Sequence, residues 1–170
     1  MIDRTRVDWI VGIDPGVHGA IALWAPEKQL LEVIDMPVLS HSVGKRAQTR
    51  VDATTLAHFL CGRSIALAVL EKVANMPGQG GTSIFSFGRS VGVVEGILAA
   101  NLAPLHLVAP AVWKKFHQIA AGAGKDDSRA AASRRLPQYA DQWPLKKHDG
   151  RAEAVLMALW GEAVIKAISK

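Results

Sequence analysis

The stretch from Trp9 to Trp24, WIVGIDPGVHGAIALW, constrains the fold more than any other part of the chain. An apolar run ends in a single carboxylate, Asp14, and a second apolar run begins at Ala20 after a proline–glycine turn. Short apolar runs separated by turn residues predict a β-hairpin. A carboxylate at the end of a buried strand is costly unless something pairs with it. Asp14 is therefore either an ordinary turn residue before proline or a ligand in a metal site.

Three further acidic residues favour the metal interpretation. Glu71 directly follows Ile65–Leu70, a continuous apolar run typical of a central strand buried on both faces. Asp149 and Glu153 stand four residues apart at the start of the last predicted helix, so they share one face. Each has a simpler explanation, since Glu71 could pair with a neighbouring lysine and acids suit the first turn of a helix. Together with Asp14, they predict four carboxylates at one site.

The donor set selects the kind of metal. Carboxylate oxygens are the ligands preferred by Mg²⁺ or Mn²⁺ rather than zinc. The single cysteine, Cys61, excludes an internal disulfide and a cysteine-based zinc cluster. Two such ions, roughly 3.5–4 Å apart, could activate a water and stabilise the leaving oxygen of an in-line displacement. In a basic protein, this arrangement predicts phosphodiester hydrolysis.

Positive charge is concentrated in one part of the chain. The net charge is +5, and residues 110–151 hold nine Lys or Arg against four Asp, an excess of the same size. This asymmetry favours a polyanionic partner, nucleic acid before membrane, over a basic face that serves only solubility. The N-terminus lacks the apolar core of a signal peptide, and the longest uncharged run, Gly96 to Trp113, contains two prolines. We expect no membrane partner and a cytoplasmic protein of a bacterial or phage-infected cell, although a mature organellar form fits equally.

The order of elements predicts an α/β architecture. At 170 residues the chain is expected to form one domain, residues 1–170. Three strands, a helix, a strand, a long helix, a short strand and further helices follow one another, which is typical of a mixed sheet with flanking helices. The segment Ser40 to Arg50 is expected to be a solvated loop. A helix after Gly124 is expected to be capped by Asp127 or Ser128.

A long helix is predicted from about Thr82 to Asn101, after a glycine-rich segment. Three positions at intervals of four are glycines: Gly88, Gly92 and Gly96. Glycine is unfavourable inside a helix, so close approach of another backbone or of DNA is the expected reason. Residues at the start of this helix could pack in the core or contact DNA by stacking and charge; the candidates are Phe85, Phe87 and Arg89.

Five sequence blocks between about Trp9 and Gly161 carry a resemblance to a known family. They are GIDPGVHGAIALW, VLEKV, PAVWKKF, GKDDSRAAA and HDGRAEAVLMALWG, in this order. The set resembles the RuvC-type Holliday junction resolvases of the RNase H-like superfamily, and within them the phage RuvC-like and chloroplast branch. The resemblance implies an RNase H-like α/β fold, with a mixed central β-sheet flanked by helices.

The resemblance also implies an activity. Members are homodimers that bind four-way DNA junctions and nick two strands symmetrically, with two Mg²⁺ ions per site and Mn²⁺ as a substitute. The bacterial enzymes usually end with two aspartates three residues apart, whereas the present pair is four apart, which is similar to the chloroplast branch. The metal ligands carried over by position are Asp14, Glu71, Asp149 and Glu153.

Basic residues are carried over in the same way. Lys114 and Lys125 match catalytic basic positions of the family, and adjacent Lys115 is an alternative for the first. Cleavage-sequence preference is expected in the Met76 to Phe87 region. The candidate DNA contacts are Phe85, Phe87, Arg89, Lys115, Arg129, Lys146 and Lys147.

Three other functions are compatible with parts of the sequence. The same carboxylates would serve an RNase H-like nuclease that acts on other branched DNA or on RNA–DNA hybrids. The Trp9–Trp24 hairpin also resembles the first phosphate loop of actin-like and sugar-kinase ATPases, but those need two related lobes and a second phosphate loop. A non-catalytic junction-binding protein could share the fold. Because all four acidic positions are filled, the sequence favours an enzyme.

Overall fold

Seven strands and five α-helices make up residues 7–43, 46–72 and 80–169, the part of the chain that this computed structural model describes. The strands are β1 (Asp8–Asp14), β2 (Ala20–Ala25), β3 (Leu30–Asp35), β4 (Val38–Val43), β5 (Arg46–Val51), β6 (Ser64–Glu71) and β7 (Leu105–Val108). The helices are α1 (Ala53–Leu60), α2 (Gly81–Ala100), α3 (Pro110–Phe116), α4 (Lys125–Arg135) and α5 (Asp149–Ile168). Short 3₁₀ turns cover Pro26–Lys28, Pro137–Gln142 and Lys146–His148.

The main sheet is mixed, in the order β3-β2-β1-β6-β7. β1, β2 and β3 form an antiparallel meander, whereas β6 and β7 run parallel to β1. Asp14 pairs with Ala20, which pairs with Asp35, and Ile13 lies opposite Leu70, the residue before Glu71. The strands β1, β3 and β6 therefore all end on the same side of the sheet, which we call its carboxylate end.

Alternating side chains give the sheet two apolar faces. Along β2, Ala20, Ala22 and Trp24 enter one core with α3, α4 and α5, and the intervening Ile21 and Leu23 enter the other with α1 and α2. Helices thus cover both sides, which explains why the central strands are almost continuously apolar. The mixed sheet with flanking helices confirms the predicted α/β RNase H-like fold.

Helix α5 lies directly on β1 because Gly12 has no side chain. A Cβ at Gly12 would overlap the carbonyl oxygen of Ala154 in the middle of α5. Nearly all of α5 from Ala152 to Leu159 is buried. This close contact brings the first turn of α5 to the carboxylate end.

The segments Val38–Val43 and Arg46–Val51 are paired strands, so the predicted loop from Ser40 to Arg50 was wrong. β4 and β5 make a separate two-stranded antiparallel sheet in which Ser40 lies opposite Thr49, with their hydroxyls 3.2 Å apart. Val38 and Leu39 are 40% and 45% exposed. Among the side chains of this ribbon that the structure describes, all except Val51 are at least partly exposed, and the sequence lacks the apolar alternation by which a strand is recognised.

Helix α4 begins earlier than expected. Its N-cap is Gly124 rather than Asp127 or Ser128. The Asp127 carboxylate accepts a hydrogen bond of 2.8 Å from the Gly124 amide, which is the back-reaching half of a capping box. Ser128 is consequently inside the helix and has no capping role.

Helix α2 is only partly covered. Its buried residues are Ser90, Val94 and Leu98, which face the sheet. A Cβ added at any of its three internal glycines, Gly88, Gly92 and Gly96, would meet nothing within 4 Å. The expected close approach therefore has no counterpart within the described chain.

By length and composition α2 is also the one described helix that could cross a membrane. A single such helix is a weak indication, since helices of soluble proteins pass the same test. Here α2 carries Arg89 and Glu95 and packs against α1 and β5.

Candidate active site

Asp14 is held by the turn that follows it. The Gly16 amide donates to Asp14 Oδ1 over 3.3 Å, and the Gly19 amide donates to the Gly16 carbonyl over 2.8 Å. A Cβ at Gly19 would overlap the carbonyl of Asp14. The glycines therefore let the chain fold back tightly, which keeps the carboxylate at the tip of β1.

The first turn of α5 packs against the same turn. A Cβ at Gly150 would lie 3.2 Å from Asp14 Oδ2 and 3.0 Å from the carbonyl oxygen of His18. Only a residue without a side chain fits there without crowding the carboxylate. Asp149 precedes this contact directly, and Glu153 follows one turn later.

The four predicted carboxylates are brought together. The pKa of Asp14 is raised to about 7, chiefly by burial and then by the negative charges of Glu153, Glu71 and Asp149, against the opposing effect of the Gly16 amide. A carboxyl group that is half protonated at neutral pH marks a site where negative charge is concentrated without full compensation. Such a site favours a cation.

Glu71 is anchored by a residue that the sequence analysis missed. The indole Nε1 of Trp113 donates to Glu71 Oε1 over 3.1 Å, and the Trp113 side chain is fully buried. Burial raises the pKa of Glu71, and the indole hydrogen bond partly offsets this. The only signal was the position of Trp113 beside Lys114 in the PAVWKKF block.

Glu153 receives two donors on the same oxygen. The buried hydroxyl of Ser128 donates to Glu153 Oε1 over 3.0 Å, and Lys114 Nζ lies 3.5 Å from it. Helices α3, α4 and α5 thus meet at one carboxylate. Of the two candidate lysines, Lys114 faces the acidic cluster, whereas Lys115 is exposed.

The other predicted basic residues differ in their surroundings. The side chain of Lys125 lies outside the described part of the structure, so its predicted role stays a prediction. Lys146 and Lys147 are exposed on the 3₁₀ turn before α5. Arg129 donates to the carbonyl of Pro144 over 2.9 Å and to Asp126 Oδ1 over 2.6 Å, so its guanidinium holds a loop of the protein itself.

On α2, Phe85 is 73% exposed and Arg89 is exposed, while Phe87 is half-buried. Exposure at Phe85 excludes the core position considered for it. Residues 76–79, the first part of the predicted Met76 to Phe87 specificity region, lie outside the described residues.

The chemistry of the donor set fits a hard divalent cation. Within the described residues, no group of three or more His, Cys, Asp or Glu side chains is placed so that it could hold a metal ion. Four carboxylates near one another nevertheless supply only oxygen donors, and their mutual repulsion is what a bound cation would relieve. Carboxylate ligands that repel one another are suited to binding Mg²⁺ or Mn²⁺.

Comparison with known proteins shows the fold. No protein-family model matches the chain, and no curated protein sequence matches it. Among solved structures, the T. thermophilus RuvC in complex with Holliday junction substrate is similar, with a TM-score of 0.58 and 13% sequence identity over 94% of this chain and 96% of that one. A second Thermus thermophilus RuvC structure has a TM-score of 0.56 and 14% identity over 91% of this chain and 96% of that one. The chain therefore has the RNase H-like fold that the RuvC Holliday junction resolvase structures share.

Proposed function

We propose that this protein is a metal-dependent endonuclease, formed by a single domain over residues 1–170, that resolves four-way DNA junctions. The observation that carries the proposal is the meeting of Asp14, Glu71, Asp149 and Glu153 at one end of a RuvC-like sheet. The similar structure that contains a Holliday junction supports junction DNA as the substrate. The local excess of positive charge over residues 110–151 supports a polyanionic ligand.

The four carboxylates would hold the metal. When bound, one or two Mg²⁺ ions, or Mn²⁺ in their place, would supply an activated water and stabilise the leaving oxygen of the phosphodiester. Asp14 must be ionised to act as a ligand, so cation binding would release the proton that burial favours. Because Gly150 has no side chain, nothing at that position crowds Asp14 Oδ2.

The surrounding residues orient these ligands. Trp113 fixes Glu71 and Ser128 fixes Glu153, each through one hydrogen bond from a buried side chain. Lys114 lies close enough to the cluster to stabilise negative charge that develops on the phosphate. Lys125 is proposed for the same task on the basis of the sequence resemblance.

A homodimer is part of the proposal. Symmetric nicking of two strands requires two active sites, and the glycine face of α2 is open to a second copy. Exposed Lys115, Lys146 and Lys147 would contact the phosphates of the junction arms.

The experiment that tests this function compares substrates. A labelled four-way junction, a linear duplex and an RNA–DNA hybrid are each incubated with Mg²⁺ and with chelator. We expect paired symmetric nicks in the junction only, and only with Mg²⁺. Cleavage of the hybrid would assign the protein to ribonuclease chemistry, and junction binding without any nick would indicate an architectural role.

A further inference from the structure

A groove separates the β4–β5 hairpin from α2, on the face of the sheet opposite α5. It encloses about 450 Å³. One wall is the hairpin strand β5 with the start of α1, and the other is the first half of α2. Its polar and basic lining includes Gln48, Thr49, Arg50, Thr54, Ser86 and Arg89.

One wall of the groove begins at the carboxylate end of the sheet, because β4 follows the end of β3. Two residues separate β3 from the hairpin, whose base is closed by a hydrogen bond of 2.8 Å from the Asp52 amide to the Pro37 carbonyl. Immediately before it, the Met36 amide donates to the Gly19 carbonyl over 2.9 Å. Gly19 belongs to the turn that carries Asp14, so the hairpin starts next to the candidate active site.

The groove is lined by apolar residues together with two arginines and one aspartate. Arg50 and Arg89 stand on opposite walls and are both exposed. Asp52 is the acid in the lining, and its Oδ1 accepts hydrogen bonds of 3.1 Å from the Thr54 and Thr55 amides, so it serves as the cap of α1.

We propose that this groove, between the hairpin and α2, binds the sugar–phosphate backbone of a DNA arm that extends from the scissile phosphate. A separate two-stranded sheet gains little stability by itself, and a two-stranded ribbon fits the major groove of duplex DNA. Arginines on both walls would contact phosphates and so fix the position of the arm without reading its sequence. The inference rests on the proposed nuclease function and adds a contact surface outside residues 110–151.

The occupant is DNA rather than a second copy of the chain. None of the open glycines Gly88, Gly92 and Gly96 lines the groove, although Gly92 lies one helical turn from Arg89. A protein copy would bring its own excess of positive charge against Arg50 and Arg89. A DNA backbone brings the complementary charge.

The test measures junction affinity against salt concentration, in chelator, for the full chain. Arg50→Ala, Arg89→Ala and the double variant are compared with Lys28→Ala, which removes one exposed positive charge from the opposite end of the sheet. Removing one basic side chain that binds a phosphate lowers the slope of log affinity against log salt by about 1. We expect a reduction of about 1 for each single variant and about 2 for the double variant, with several-fold weaker binding, and no change for Lys28→Ala.

Two results would overturn the proposal and leave the nuclease function standing. One is a wild-type protein that nicks junctions while the double variant keeps the wild-type affinity and slope. The other is a double variant that becomes monomeric by sedimentation with an unchanged slope, which would assign the groove to a second copy. Failure of the wild-type protein to bind or nick any four-way junction would instead contradict the proposed function itself.

Discussion

The Ser128 hydroxyl lies 3.0 Å from Glu153 Oε1 and donates a hydrogen bond to it from a side chain that is 1% exposed. This single contact joins α4 to the first turns of α5. The hydrogen bond from Ser128 restricts the rotamer of Glu153, whose Oε1 also lies 3.5 Å from Lys114 Nζ. Precise ligand orientation is what a two-ion site requires.

Ser128→Ala should therefore lower the Mg²⁺-dependent cleavage rate more than the stability of the fold. Loss of one hydrogen bond to a carboxylate costs about 1–3 kcal/mol, so we expect a rate about 5- to 100-fold lower at limiting Mg²⁺. Raising the Mg²⁺ concentration should recover part of this loss. Single-turnover cleavage of a four-way junction against Mg²⁺ concentration measures it, with Ser169→Ala at the exposed end of the chain as control. An Mg²⁺ profile that coincides with that of the wild type would remove Ser128 from the site.

Trp113→Phe tests whether Trp113 positions Glu71 or only packs in the core. The variant loses the indole hydrogen bond to Glu71 Oε1 and some buried volume. Trp143→Phe is a matched control, because Trp143 is equally buried and its indole donates to the Ser133 hydroxyl instead. We expect both variants to lose about 1–3 kcal/mol of unfolding free energy, but only Trp113→Phe to cleave the junction more slowly. Equal cleavage rates in the two variants would contradict the role of Trp113.

The two adjacent lysines should behave differently. Lys114→Ala removes a positive charge beside Glu153, so we expect the cleavage rate of the bound junction to fall about 100-fold. Lys115 is exposed, so Lys115→Ala should lower the slope of log affinity against log salt concentration by about 1. The cleavage rate of the bound junction should not change. Single-turnover rates at saturating protein, with affinities measured in chelator, distinguish the two. If Lys115→Ala lowered the cleavage rate and Lys114→Ala changed only binding, Lys115 would be the lysine of the active site.

Stability without metal should depend on Asp14 and pH. The folded protein holds a proton on Asp14 up to about pH 7, whereas an unfolded aspartate loses it near pH 4. The stabilisation by this proton is complete below about pH 4 and is lost as pH rises through about 7. In chelator, Asp14→Asn should therefore exceed the wild type in stability at pH 8, by a difference on the order of 4 kcal/mol.

Chemical denaturation of both proteins at pH 5 and pH 8 measures this difference. His117, whose pKa is lowered to about 4 chiefly by burial, makes folding more favourable as pH rises toward neutrality. Both proteins share His117, so their difference isolates Asp14. Parallel pH profiles would show that Asp14 is ionised in the metal-free protein.

The open glycine face of α2 should tolerate a side chain in the monomer. Gly92→Leu replaces a poor helix residue at a position with nothing within 4 Å, so the folded monomer should be as stable as the wild type or more so. If a second copy packs on this face, the same variant should dissociate the dimer. Sedimentation velocity measures this, and a dimer that persists would place the interface elsewhere.

The sequence predicted those elements whose apolar residues are buried in the core and whose ends are marked by turn residues. The strands around Asp14 and Glu71 are short, apolar and bounded by turns, so their ends were evident, and α5 was recognised from its apolar run. The β4–β5 hairpin was missed because its sequence lacks the apolar alternation that is typical of a strand. Trp113 and Ser128 were missed because their function depends on contacts with Glu71 and Glu153 from distant parts of the chain. A serine in a helix has no local pattern that points to such a contact.

The central claim is that four carboxylates act together as one metal-dependent nuclease site. The most direct test is single-turnover cleavage of a labelled four-way junction by Asp14→Asn, Glu71→Gln, Asp149→Asn and Glu153→Gln, at protein concentrations that saturate binding. We predict that each variant binds the junction with near wild-type affinity in chelator and nicks it at least about 100-fold more slowly with Mg²⁺. Wild-type cleavage by any two of these variants would contradict the shared site.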